Sequence, residues 1–214
     1  MIVPGMSLQE IKKSLLNDYD TELRARLNFI DITYKRKWLL NGKHDAIETI
    51  HFPAKSKNNW RITVHCQKTH VHVVPYLISY NEFGIVAALL TPSLTPMAFM
   101  HFNTHFFQRY RERAKIKADK PVELVKTFFK QNMYMMPASI TQENGSEQVF
   151  TPLNGGVGLG IYHEADDIYE FKTFVDNSLL KEEQFQKIAE IHHETFKVLT
   201  EAYPKAAKHP KKFY

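Results

Sequence analysis

The chain has one cysteine, Cys66, in 214 residues, so no intrachain disulfide can form, and a reducing, cytoplasmic setting is the natural expectation. No apolar run approaches the roughly 18 residues that a membrane-spanning helix needs. The N-terminal stretch "MIVPGMSLQEIKKSLL" lacks the basic start, apolar middle and small-residue cleavage site of a secretory signal, so no membrane association is expected. Gly/Ser linkers, internal repeats and low-complexity blocks are missing too, and the GxSxG, HExxH and GK[ST] patterns do not occur. Serine-nucleophile, zincin and P-loop chemistries therefore have no foothold in the sequence.

Aromatic residues are plentiful, at 13% of the chain, enough to dominate a core. The formal net charge is +5. Such a balance favours a polyanionic partner, RNA first among them, with a protein partner as the other expectation.

Hydrophobic periodicity divides the chain into helices, strands, helices, strands and a last helix. Ser7 and Glu10 form a capping-box signature, and Leu8, Ile11, Leu15, Leu23, Leu27 and Ile30 follow at helical spacing. This predicts a helical N-terminal region to about Leu40, broken near Asn17–Asp20 or Asp31–Thr33. "WRITVHCQ", "THVHVVPYLISY" and "GIVAALLT" read as strands of an antiparallel meander, with "NEFG" as a turn and Pro75 marking a bulge or an edge. "KPVELVKTFFKQN" reads as a helix with proline in its first turn. "SITQ", "EQVFTPL", "VGLGIYH" and "IYEFKTFVD" read as strands, and the acidic "HEADD" between the last two reads as a turn. A long amphipathic C-terminal helix is expected over "SLLKEEQFQKIAEIHHETFKVLTEAY". The order is that of an α+β fold: an antiparallel sheet with helices packed against it, in one domain spanning 1–214. A division near 91–96 has no linker composition behind it.

The stretch "HFNTHFFQRYRERAKI" carries most of the chemistry. A helix over about 96–116, capped by Thr95 with Pro96 in its first turn, would turn Phe99, Phe102, Phe106 and Tyr110 towards the core. His101, His105, Arg109 and Arg113 would then form one row at steps of four, with Glu112 able to pair with Arg109 or His105. Imidazoles that exchange protons near neutral pH, beside guanidiniums that grip phosphate oxygens, suit metal-independent phosphodiester cleavage. His101 or His105 would exchange the proton, while Arg109 and Arg113 would hold phosphate. No cofactor or metal is called for in that scheme.

Other readings compete with it. The row could be a solvated helix side, or the surface of a binding module that does no chemistry. His101 and His105 could instead share a metal in a hydrolase, with His70 and His72 as a further pair on a strand. Thr173 would lie on one strand face with Tyr169, Phe171 and Val175, as a core threonine or as a hydroxyl offered to a ligand. Gly156, Gly158 and Gly160 would leave one strand face bare for close approach by a helix or another backbone. Cys66 reads as a buried, inert thiol.

From "HFNTHFFQRYRER" to "FKTFVDNSLL", roughly residues 97–180, the layout resembles RelE-, barnase- and EndoU-like ribonuclease domains. In some of those a helix bearing His and Arg precedes an antiparallel sheet with a catalytic Thr or Ser on a late strand. The resemblance implies His101, His105 and Thr173 as catalytic residues and Arg109 and Arg113 as substrate-binding residues. Three strand candidates before the helix and a helix after the last strand depart from that layout.

Overall fold

The computed structural model describes residues 1–42, 44–67, 71–91, 97–141 and 147–180, together with Gln186, Ala189, Glu190 and His193. The N-terminal region is one run of helix. Ser7 caps α1 (Leu8–Asp18) in a complete capping box, with the Ser7 N–H donating to Glu10 Oε2 at 2.7 Å. A widened π turn at Tyr19–Leu23 then leads into α2 (Arg24–Leu40). The break expected near Asn17–Asp20 is that π turn, and the helix runs unbroken through Asp31–Thr33.

Nine strands form one sheet: β1 (Ala46–Pro53), β2 (Asn59–Cys66), β3 (Val71–Asn81), β4 (Gly84–Thr91), β5 (Ala98–Phe102), β6 (Ala138–Thr141), β7 (Glu147–Leu153), β8 (Gly156–His163) and β9 (Ile168–Asp176). Their order is β1-β2-β3-β4-β5-β9-β8-β7-β6. Two antiparallel meanders, β1–β5 and β6–β9, meet along a single parallel pair, β5 with β9. The connection between the meanders carries α3 (Thr104–Arg113) and α4 (Pro121–Gln131). Antiparallel neighbours need only short turns, whereas the parallel pair needs this long excursion. The α+β expectation holds.

β1 escaped the sequence reading because an edge strand buries little: none of its eight residues is fully buried. Pro75 pairs with Ile62 of β2 but lies just outside the β3–β4 pairing, which begins at Tyr76. β3 is an interior strand, so the edge reading does not hold for it as a whole; at Pro75 only β2 is paired to it.

Each face of the sheet has its own core. On one, α1 and α2 cover Trp60, Ile62, Val64, Leu77, Leu90, Phe99 and Ile168. On the other, α3 and α4 bring Phe106, Phe107, Phe128 and Phe129 onto Phe102, Phe171 and Phe174. The sheet curls around the end of α4: His72 on β3 bonds the Met133 carbonyl at 2.9 Å, and Asn132 accepts from Asn154 at the β7–β8 turn at 2.7 Å. The acidic turn Glu164–Asp166 ties α1 to the sheet. Lys12 Nζ donates to the carbonyls of Asp166 and Asp167 at 2.6 and 2.9 Å, and Gln9 holds the Asp166 carboxylate.

The glycine expectation is met in detail. A Cβ on Gly158 would press on Thr151, Leu153 and Phe106 of α3 at 3.2–3.3 Å, and one on Gly160 would lie 1.8 Å from the Glu170 carbonyl oxygen. Gly160 stands at a bulge where Leu159 pairs with Thr173 and Gly160 with Phe171, leaving Lys172 as the extra residue. The C-terminal helix expected from Ser178 does not start there. Asn177–Leu179 is a single 3-10 turn and Leu180 is extended, and the rest of that helix lies outside the described residues apart from the four isolated positions, which are helical.

Candidate nucleic-acid interface

The helix expected over 96–116 is shorter than its periodicity suggests. Residues 98–102 form β5, paired to β4 and β9 and buried throughout. The helix begins at Thr104, where Asn103 Oδ1 accepts the Phe106 N–H at 2.9 Å. Thr95 and Pro96 lie outside the described residues. Asparagine is among the best N-caps, so the cap at Asn103 could have been read from the sequence. The strand before it could not: five buried residues in a row look alike as strand or helix.

This divides the proposed His/Arg row. His101 is a strand residue, 6% exposed, on the same face as Phe99 and so under the N-terminal helices' side of the sheet. Its Nδ1 is buried without a hydrogen-bond partner. Burial pushes its pKa down to about 4, against the pull of the Glu170 carboxylate. Glu170 is its register partner on β9 and in turn takes His163 Nε2 at 3.0 Å and Lys172 Nζ at 3.6 Å.

His105 stands on the other side of the sheet, exposed on α3. Arg109 Nε donates to His105 Nε2 at 3.4 Å, and Arg109 Nη1 pairs with Glu112 at 2.9 Å. Arg113 turns inward, and its Nη1 donates to the Phe174 carbonyl. Arg109 and His105 thus share a polar row, while Arg113 is committed to holding α3 against β9.

Thr173 joins neither group of α3 side chains. The extra residue in β9 shifts the alternation, so Phe171 and Phe174, three apart, both point into the α3–α4 core. Thr173 pairs with Leu159, whose side chain packs against Ala138, Phe150 and Val157 on the opposite face. The expected face of Tyr169, Phe171, Thr173 and Val175 is therefore corrected: Phe174 takes the place given to Thr173. His101, His105 and Thr173 do not share one site.

The metal readings also change. His101 and His105 are not one helical turn apart. His72 bonds the Met133 carbonyl and stacks on Tyr134 with ring centroids 4.4 Å apart, and His70 lies outside the described residues. Among the described residues no three His, Cys, Asp or Glu side chains converge to hold a metal ion. Cys66 is buried with its thiol pKa raised by burial, a poor nucleophile.

What the structure does gather is charge. Residues 104–131, which hold α3, α4 and their connection, contain eight Lys/Arg and three Asp/Glu. That is an excess of five; the other 20 Lys/Arg and 20 Asp/Glu cancel in sum, although α2 is basic as well, with five Lys/Arg against one Asp. None of the eight cations is buried, and Arg111, Lys115, Lys117, Lys120 and Lys130 are exposed and form no ion pair among the described residues. Spacing along the helix singles out Arg109 and Arg113 and turns Arg111 away from their row, while the four lysines carry no spacing signal. A charge count by segment would have found them.

No family model, curated protein or solved structure matches the chain.

Proposed function

We propose that the chain binds RNA through the outer side of the α3–α4 layer and does not cleave it at a His–Thr site. One observation carries the reading: α3, α4 and their connection hold an excess of five positive charges, and five of their cations are exposed and free of ion pairs among the described residues. Cations not already paired can neutralise phosphates and release condensed counterions, which drives binding and makes it salt-dependent. Arg109, beside His105 and paired with Glu112, belongs to the same helix α3. Binding without cleavage is preferred because the candidate proton-transfer groups are on opposite faces of the sheet.

The test is a titration of labelled RNA followed by fluorescence anisotropy. Affinity should fall at least tenfold between about 50 and 200 mM salt. A variant carrying Arg111→Glu, Lys117→Glu and Lys120→Glu should lose most of the affinity and flatten the salt dependence. RNA recovered after incubation with chelator should be intact. Cleavage that survives chelator and vanishes in His105→Ala would replace this reading with the ribonuclease one. Failure to bind at low salt would remove RNA altogether.

A further inference from the structure

We infer that the nucleic acid taken by this layer is single-stranded, with unpaired bases stacking on Phe83 and Tyr80 at the β3–β4 hairpin tip and the backbone running along α3. This rests on the proposed RNA-binding role of the α3–α4 layer and adds the form of its ligand.

The tip is a two-residue turn closed by the pair Asn81 and Gly84. Asn81 Oδ1 accepts the N–H groups of Phe83 and Gly84, each at 3.0 Å, and also the hydroxyl of Thr104, the first residue of α3, at 3.2 Å. Gly84 has φ +133°, and a Cβ there would come within 3.0 Å of Thr104 Cγ2. The hairpin tip is thus fixed against the N-terminal end of α3 at close quarters.

Phe83 is nevertheless 74% exposed and Tyr80 51%, whereas Phe102, Phe106, Phe128 and Phe171 nearby in the fold are fully buried. Tyr80 pairs with Ile85, which belongs to the α3–α4 core, so the tyrosine lies on the face that carries the basic layer. His105 follows Thr104 directly and is exposed as well. Exposed flat rings on a hairpin tip tied to the start of a basic helix are what single-stranded binding uses: bases stack on the rings and phosphates take the charges. A duplex hides its base faces and has no use for them. Glu82, between the two aromatics in sequence, disfavours phosphate at the tip itself, which leaves the phosphate contacts to the cations of α3.

The probes are a labelled oligouridylate and a blunt RNA duplex of the same length, at one salt concentration, with the full chain. The single strand should bind at least tenfold tighter than the duplex. Phe83→Ala should weaken the single-strand complex by about five- to a hundredfold, and Tyr80→Ala somewhat less. Duplex binding and the salt slope should be unchanged in both, and Phe83→Tyr should restore affinity. Both positions are exposed, and an unchanged circular dichroism melt confirms folding. Equal or tighter duplex binding, or a single-strand preference indifferent to both substitutions, overturns the stacking site while leaving the basic layer in place. No binding of either RNA overturns the underlying reading instead.

Discussion

The two faces of the sheet are held by different physics. The α3–α4 face is built from aromatic volume: Phe102 stacks on Phe171 at 4.9 Å and meets Phe106, Phe128 and Phe129 at 5.0–5.9 Å. The N-terminal face is apolar too, but its helix is fixed by a buried polar knot. Asp18, 1% exposed, accepts from Asn58 Nδ2 at 2.7 Å and Trp60 Nε1 at 2.9 Å, and Asn58 also holds the Ile2 N–H at 2.7 Å. Ring packing demands nothing of the outer helix surface, so that surface is free to carry unpaired cations. The buried carboxylate, by contrast, commits α1 to one register over β2.

Substitutions can break this contrast, and the largest effect is expected at the ring cluster. Phe102→Ala should cost about 3–5 kcal/mol, because the rings around the cavity can collapse only partly. Urea denaturation of the variant measures it, and a loss below about 1 kcal/mol would mean that the aromatic cluster is not what holds this face.

Next comes acid sensitivity at His101. Its folded pKa of about 4 lies below its usual 6.5, so the unfolded chain binds the proton first as pH falls. Stability from keeping this imidazole neutral is complete above about pH 6.5 and is lost on acidification towards pH 4, by roughly 3 kcal/mol. His101→Leu should abolish that part of the pH dependence, measured as the urea midpoint at several pH values. An unchanged profile would show that the imidazole titrates freely.

Asp18→Ala should cost about 2–3 kcal/mol by leaving the Trp60 and Asn58 donors without an acceptor. It should loosen the N-terminal helix before the α3–α4 face, as hydrogen exchange would register. Uniform loss of protection over both faces would erase the distinction. The smallest stability change, within about 0.5 kcal/mol, is expected for charge reversal at Arg111, Lys117 and Lys120, although those changes should be the most damaging to RNA binding. A large stability loss there would make these cations part of the scaffold.

Much of the fold was legible along the chain. The boundaries of β4, β7 and β9, the capping box at Ser7 and the proline-led α4 follow from local pattern, since capping and alternation depend on residues close in sequence. The candidate site was legible only in part. Arg109 beside His105 and paired with Glu112 was foreseen, because i,i+3 and i,i+4 neighbours are fixed by helix geometry alone. The wider basic layer was written in the composition of 104–131, but a sum of charges does not show which of them remain exposed and unpaired after folding.

By itself the sequence determined the alternation of most strands, the helix caps, the aromatic core and the total charge, all properties of neighbours and of sums. Tertiary structure decided that 98–102 is a strand, since only pairing with β4 and β9 distinguishes an all-buried strand from a helix. It also decided on which face Thr173 lies, since one extra residue at Lys172 inverts every side chain beyond it. And it tied the β3–β4 hairpin tip to α3 through the bond of Asn81 to Thr104, 23 positions away, which no local pattern encodes.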